Sequence, residues 1–170
     1  TTPSGSLTVN MGDGDDSITV SNLDTGTFAV TVNGGAGADN ITGGGGADLL
    51  NGDGEDDVIV GSGGDDTMNG GDGNDGMFGV SGSDVMNGGA GDDTLRGQAT
   101  GGDVLTGGAG NDNRDGGSGA DQIVESFDDA TMTMTDSSIV GSETDTLVSI
   151  ESAVITFGDS ANNFNGSAFS

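Results

Sequence analysis

The sequence lacks cysteine, histidine, lysine, tryptophan and tyrosine, and its 170 residues include a single proline. Without cysteine there is no disulfide and no thiolate metal site, and without histidine there is no imidazole ligand. The usual nucleophile–base pairs and the histidine motif of zinc proteases are missing for the same reason. A pair of aspartates could still act as acid and base, but the regular aspartates described below have another role. The sequence therefore predicts that the chain is not an enzyme.

Positive charge is also nearly absent, because 29 acidic residues face only Arg96 and Arg114, for a formal net charge of −27. Such a field repels nucleic acid and disfavours anionic membrane surfaces. No apolar run is long enough for a membrane-spanning helix, so direct membrane insertion is not expected. Leu, Ile, Val and Phe make up about a fifth of the chain, a level at which highly charged sequences are usually disordered. Folding therefore requires a cationic partner.

What the chain has in abundance is glycine, with 37 residues, and the glycines follow a period of nine. From Gly34 to Val124 the units are GGAGADNIT, GGGGADLLN, GDGEDDVIV, GSGGDDTMN, GGDGNDGMF, GVSGSDVMN, GGAGDDTLR, GQATGGDVLT, GGAGNDNRD and GGSGADQIV. An isolated copy, MGDGDDSIT, begins at Met11. The sixth position, after allowance for one extra residue in the Gly97 unit, is always aspartate: Asp39, Asp48, Asp57, Asp66, Asp75, Asp84, Asp93, Asp103, Asp112 and Asp121. The eighth is apolar in all but one unit: Ile41, Leu50, Ile59, Met68, Met77, Met86, Leu95, Leu105 and Ile123.

This period predicts an all-β fold, a right-handed parallel β-roll with coils of about 18 residues. The glycine-rich first six residues of a unit form a tight turn, and the last three form a short strand. Because side chains alternate along a strand, the eighth residue points inward and its neighbours point outward. Two units make one coil, and stacked coils form parallel ladders. We expect residues 34–124 to form the roll, with β-rich caps in residues 1–33 and 125–170.

Turns two units apart should lie above one another, which sorts the aspartates into two columns. One column holds Asp39, Asp57, Asp75, Asp93 and Asp112, and the other holds Asp48, Asp66, Asp84, Asp103 and Asp121. The extra residue of the Gly97 unit is expected in its turn, because this preserves the alternation. Stacked carboxylates repel one another unless a cation lies between them.

Only hard oxygen ligands are available, and calcium accepts six to eight of these in flexible geometry. The columns therefore predict about eight calcium ions, one in each gap between successive turns. Weaker candidate ligands are Asp16 and Glu55. The candidate turn carbonyls belong to Gly35, Gly37, Gly44, Gly46, Gly64, Gly71, Gly73, Gly82, Gly89, Gly91, Gly108, Gly110, Gly117 and Gly119.

Two units depart from the pattern. Glu55 replaces a fourth-position glycine, which predicts a distorted turn with a weaker site, although its carboxylate could instead join the ion shell. Arg114 occupies an inward eighth position, where a buried unpaired charge is costly. Either the last coil opens there or the arginine pairs with a nearby carboxylate, and the expectation favours an open coil.

The units resemble the RTX (hemolysin-type) calcium-binding repeat, G-G-x-G-x-D-x-U-x, in which U is a large apolar residue. A second family-like stretch, DTLVSIE at Asp145–Glu151, leads into a copy in which Asn162 takes the aspartate position and Phe164 the apolar one. That copy should bind calcium poorly. The resemblance implies an exported bacterial protein, extracellular or on the cell surface, that leaves by type I secretion and folds where calcium is plentiful.

Two functions remain open from the sequence. The first is a calcium-rigidified structural module of a larger surface, adhesin-like or filament-forming protein, able to associate head to tail or with neighbouring domains. The second is a secretion and folding module for an exported enzyme or toxin. The structural function is preferred, because caps at both ends followed by a partial new repeat suggest a self-contained unit. Since the chain begins at Thr1, we expect it to be part of a longer protein.

Overall fold

The computed structural model describes residues 6–20, 28–127, 131–135, 138–140, 144–150, 152–157 and 163–166. Within these ranges the regular structure is all strand, and none of it is a helix that could cross a membrane. The strands are β1 Leu7–Asp13, β2 Ser17–Thr19, β3 Val30–Ala36, β4 Asn40–Gly44, β5 Leu49–Gly54, β6 Val58–Ser62, β7 Thr67–Asp72, β8 Gly76–Val80, β9 Val85–Ala90, β10 Thr94–Gln98, β11 Val104–Ala109, β12 Asn113–Asp115, β13 Gln122–Phe127, β14 Thr131–Thr135, β15 Ser138–Val140, β16 Thr144–Val148, β17 Ser152–Phe157 and β18 Asn163–Gly166.

Strands from alternate units form two sheets, as a coil of two units requires. The first sheet has the order β1-β3-β5-β7-β9-β11-β13-β17, and the second has β18-β14-β15-β16-β12-β10-β8-β6-β4-β2. Within the repeats the pairs are parallel and equivalent positions face each other, as in Leu50 with Met68 and Ile41 with Ile59. The predicted all-β roll of about 18 residues per coil is confirmed.

The eighth residue of each unit lies between the two sheets, where it is at most 1 % exposed. The flanking seventh and ninth residues point outward, as the burial pattern of β7 shows. Three successive core positions are methionines, Met68, Met77 and Met86, and their flexible side chains suit an interior of repeated narrow layers. The core is therefore a row of apolar side chains along the roll, as the period of nine predicts.

The turns depend on backbone conformations that favour glycine. Most second- and fourth-position glycines have positive φ, for example Gly35 at 116° and Gly37 at 127°. The residues that replace glycine at these positions also have positive φ, but a smaller one: Asp53, Glu55, Ser62, Val80 and Gln98 lie between 72° and 81°. The Glu55 backbone keeps a positive φ of 72°, but the positive-φ glycines at the same position of the other regular units have φ between 109° and 142°. The expectation of a distorted turn with a weaker site at Glu55 stays a prediction.

Val80 is the most strained of these residues, because a β-branched side chain at a φ of 81° crowds its own backbone. Replacing Val80 by glycine should relieve about 1–2 kcal/mol of backbone strain in the folded state. It should also favour the unfolded chain by about 0.5–1 kcal/mol, because glycine has more conformational entropy there. We expect Val80→Gly to raise the free energy of unfolding in calcium by up to about 1 kcal/mol, measured by urea titration.

Val58→Gly is the matched control, since Val58 is an exposed strand residue with no positive φ. It should lower the free energy of unfolding by about 0.5–1 kcal/mol. Equal losses in the two variants would show that the turn at Val80 is not strained.

The two ends of the roll differ. At the N-terminal end, β1 and β2 continue the sheets in parallel, so this part of the expected cap belongs to the stack. At the C-terminal end, β15 pairs antiparallel with β14 and β16, whereas β16 and β17 still stack in parallel on β12 and β13. The extra residue of the Gly97 unit lies between β10 and β11, because Val104 pairs with Val85 nineteen residues earlier. That expectation is confirmed, whereas the division into 1–33, 34–124 and 125–170 stays a prediction.

Candidate metal centres

The ten regular aspartates lie at the ends of the turns, immediately before the strands, and each is at most 3 % exposed. Their backbones and side chains link successive coils. The Asp39 N–H donates to Asp57 Oδ1 at 2.7 Å, Asp57 N–H to Asp75 Oδ1 at 2.8 Å, and Asp75 N–H to Asp93 Oδ1 at 2.8 Å. The bonds of the other column run from Asp48 to Asp66, Asp66 to Asp84, Asp84 to Asp103 and Asp103 to Asp121. The aspartates thus stand in the two columns expected from their spacing.

Only one carboxylate oxygen is used in this way. The Oδ2 atoms of eight aspartates are buried without a hydrogen-bond partner, namely those of Asp39, Asp57, Asp66, Asp75, Asp84, Asp93, Asp103 and Asp112. A buried charged oxygen without a partner is costly, and proteins rarely leave such groups unsatisfied. A regular row of them therefore indicates sites that would bind cations.

The first-position glycine of each unit makes room for this oxygen. A β-carbon at Gly34 would collide with Asp39 Oδ2 and lie 2.6 Å from the carbonyl oxygen of Gly52, in the next coil. The same collision occurs at Gly70, with Asp75 Oδ2 and the carbonyl oxygen of Gly88. Most first-position glycines therefore lie where a carboxylate oxygen of their own unit and a carbonyl oxygen from the next coil converge.

The electrostatics show the cost of this arrangement without a cation. Burial, and then the neighbouring carboxylates, raise the pKa of Asp57 to about 6 from an ordinary value of 3.8, against the opposing hydrogen bond from the Asp39 backbone. Burial likewise raises the pKa of Asp66 and of Asp93 to about 7, and that of Asp103 to about 6. It raises the pKa of Asp75 and Asp84 as well. The columns therefore favour either protons or a cation.

Calcium fits this set of donors. In the described part of the chain no three acidic side chains come together closely enough to hold a metal by themselves, so backbone carbonyls must complete each site. Carboxylate and carbonyl oxygens are hard ligands, which calcium accepts in large and variable number. Magnesium prefers a strict octahedron and retains its waters, and softer metals have no sulfur or imidazole here.

The weaker candidates have different positions. Asp16 heads a column, because its N–H donates to Asp39 Oδ1 at 2.8 Å. The Glu55 side chain is exposed, away from the buried row of Oδ2 atoms. Among the candidate carbonyls, that of Gly44 already accepts a hydrogen bond from Gly63 at 2.9 Å. Asn162 lies outside the described residues.

The first-position carbonyls beside the Oδ2 atoms are ligand candidates that the sequence analysis missed. The carbonyls expected as ligands belong to the second and fourth positions, where glycine is needed for its backbone conformation. The first-position glycine is needed for space, and its dense recurrence in the repeat was the available signal.

The C-terminal end of one column differs from the rest. The Asp112 N–H donates to Asp145 Oδ1 at 3.0 Å, so Asp145 continues the column after a gap of 33 residues. Asp145 was not recognised as a column member, although Asp145, Thr146 and Leu147 repeat the spacing of a sixth, seventh and eighth position.

Arg114 is fully buried at this end and forms ion pairs with Glu125 and Asp145. Its strand β12 pairs in register with both β10 and β16. The expectation that the coil opens at Arg114 is therefore wrong, and the alternative, pairing with carboxylates, is correct. Its physical reason is that two acidic side chains, one from each sheet, neutralise the guanidinium inside the roll.

Comparison with known families agrees with this geometry. The model of the RTX calcium-binding nonapeptide repeat (4 copies) matches residues 22–50, 31–58, 42–77, 51–86, 78–100 and 99–123. These overlapping segments run from residue 22 to residue 123 of the 170-residue chain and include all ten regular aspartates. Neither a curated protein nor a solved structure matches the chain.

Proposed function

Because the chain belongs to the RTX calcium-binding nonapeptide repeat family, we propose that it is a structural module that folds and stiffens on binding calcium outside the cell. In this proposal it is a rigid segment of a larger surface, adhesin-like or filament-forming protein, without catalytic activity. The repeats bind calcium and form a β-roll. The observation that carries the proposal is the row of buried, unpartnered Oδ2 atoms in both columns.

The length of the two columns gives the expected number of calcium ions. Ten regular aspartates in two columns leave four gaps in each, which corresponds to about eight calcium ions. These would neutralise about 16 of the 27 net negative charges of the chain. Each ion would link two successive turns, so binding and coil stacking are coupled.

The outer surface supports a stiff rather than a catalytic module. On the first sheet, side chains of successive coils form an asparagine ladder. Asn33 Nδ2 donates to Asn10 Oδ1 at 2.7 Å, and the same bond joins Asn51 to Asn33 and Asn69 to Asn51 at 2.7 and 2.8 Å. Such ladders reinforce coil stacking along the roll and provide no acid, base or nucleophile. The absence of histidine, cysteine and lysine agrees with the proposed lack of enzymatic activity.

Location and context are inferred from the family. RTX repeats are typical of secreted bacterial proteins, and calcium is plentiful outside the cell. We infer an extracellular or cell-surface location reached by type I secretion, and contact with neighbouring segments of a longer chain or with further copies. A secretion and folding role for an attached enzyme or toxin is the alternative. It would be favoured by a catalytic domain elsewhere in the full-length protein.

The expected effect of Asp75→Asn tests the ion columns. Asparagine retains an oxygen for the Asp57 N–H but replaces the charged Oδ2, so the two gaps next to residue 75 should lose affinity. Isothermal titration should show one to two fewer calcium ions per chain, or at least a tenfold weaker affinity for them. The matched control is Asp72→Asn, which removes one charge from an exposed position of the same turn.

Equal calcium binding by Asp75→Asn and the parent chain would refute the column sites. Sedimentation velocity of the calcium-loaded parent then examines the structural role. Calcium-dependent assemblies would support a filament-forming segment, and a monomer would support a rigid spacer within one chain.

A further inference from the structure

Arg114 lies in the interior of the roll, where other units carry an apolar residue. It is in register with Leu95 on one side and Leu147 on the other, and it is 0 % exposed. Arginine is seldom fully buried unless its charge is neutralised. In a chain with two arginines and 29 acidic residues, the position of one arginine inside the core requires a specific explanation.

One partner of Arg114, Asp145, continues the metal column. Asp145 accepts the Asp112 N–H through Oδ1, as each column aspartate does from the previous one, and its Oδ2 receives Arg114 Nη2. In the preceding coils the equivalent Oδ2 atoms, such as those of Asp75 and Asp93, have no protein partner. At Asp145 a guanidinium therefore takes the place that is left open elsewhere.

Glu125 completes this arrangement from the other sheet. It follows Gly107 by 18 residues, one coil later, and its carboxylate accepts a hydrogen bond from the Gly107 N–H at 3.3 Å. The same carboxylate pairs with Arg114 Nη1, so the guanidinium bridges β13 of the first sheet and the start of β16 in the second. Glu125 occupies a first position, where the earlier units have glycine, such as Gly107 and Gly88.

We propose that the Arg114 guanidinium is a covalently attached substitute for calcium at the C-terminal end of the Asp39–Asp112 column, where it joins Glu125 and Asp145 without an ion. A divalent cation beside the guanidinium would be repelled, because both charges would share one desolvated space. The bidentate fork of arginine satisfies two carboxylates at once, as a calcium ion would in the other gaps. The last coil is thereby held closed by the chain itself.

This inference rests on calcium binding by the columns, and calcium counting separates the two. Arg114→Leu restores the usual apolar residue and leaves the carboxylates of Glu125 and Asp145 without their cation. We expect this variant to bind one more calcium ion per chain than the parent. Arg96→Leu is the matched control, because it removes the same charge from an exposed position on β10 and should leave the count unchanged. An unchanged count for Arg114→Leu, or failure to fold at any calcium concentration, overturns the proposal.

A second variant keeps Arg114 in place. Asp145→Asn should bind as many calcium ions as the parent, because the oxygen it loses faces arginine rather than calcium. If Asp145→Asn and Asp75→Asn both lose an ion, the column sites stand, but the proposal that Arg114 takes the place of calcium is overturned. If neither Asp145→Asn nor Asp75→Asn changes the count, the column sites themselves are refuted.

Discussion

Removal of calcium is expected to convert the folded roll into a largely disordered acidic chain. Neighbouring carboxylates in a column, about 5 Å apart, repel by roughly 3 kcal/mol per pair at an effective dielectric near 20. With several such pairs in each column, this repulsion exceeds the 5–15 kcal/mol that typically stabilises a domain. The apolar core is one side chain wide and cannot compensate.

Far-UV circular dichroism during a calcium titration measures this change. We expect a sigmoidal gain of β-signal with calcium, because each ion orders turns that its neighbours share. Magnesium at the same concentration should produce little β-signal, and sodium at matched ionic strength should not restore the fold. A chain that is equally folded in chelator and in calcium would contradict the role assigned to the two columns.

Without calcium, the stability of the roll should depend steeply on pH. The pKa of Asp57, Asp103 and Asp112 is raised by burial to about 6, and that of Asp66 and Asp93 to about 7, from an ordinary 3.8. Between the ordinary pKa and the raised pKa the folded chain binds more protons than the unfolded chain, so the free energy of unfolding falls as pH rises. The proton-linked stability is fully present below about pH 4 and is lost by about pH 7.

The calcium-free chain should therefore gain β-structure when the pH is lowered from about 8 to about 5. Circular dichroism and urea titration in calcium-depleted buffer measure the gain. Saturating calcium is the control, since at high pH the ions replace the protons and the β-signal should change little over the interval. Calcium affinity itself should fall toward low pH, because ions and protons compete for the same carboxylates. Increased folding of the calcium-free chain at high pH would have the wrong sign.

The repeat period was sufficient to predict most of the fold. A sixth-position aspartate and an eighth-position apolar residue define which side chains face the interior, because strand alternation leaves no other arrangement. This is why Met68 and Met86 pair across coils and why Asp57 and Asp75 lie one coil apart. The extra residue before Val104 was placed correctly for the same reason, since only a position in the turn preserves the strand register.

The predictions failed where a contact depends on residues far apart in sequence. The period does not indicate that Glu125 and Asp145 meet around Arg114, because these residues lie 11 and 31 positions away and come from different sheets. The period likewise does not give the backbone angle at Glu55, where φ is 72° rather than the 109° to 142° of the positive-φ glycines at the same position of the other regular units.

The sequence by itself determined the coil length, the inward and outward faces and the two columns of acidic turns, and it predicts the need for a cation. These properties repeat every nine or 18 residues and follow from local stereochemistry and charge. Only the tertiary structure decided which carboxylate oxygen is left open, which carbonyl lies beside it, and how the last coil closes around Arg114. Those details depend on the stacking of one coil on the next, where small differences in the distances between residues far apart in sequence determine which polar groups form hydrogen bonds or ion pairs.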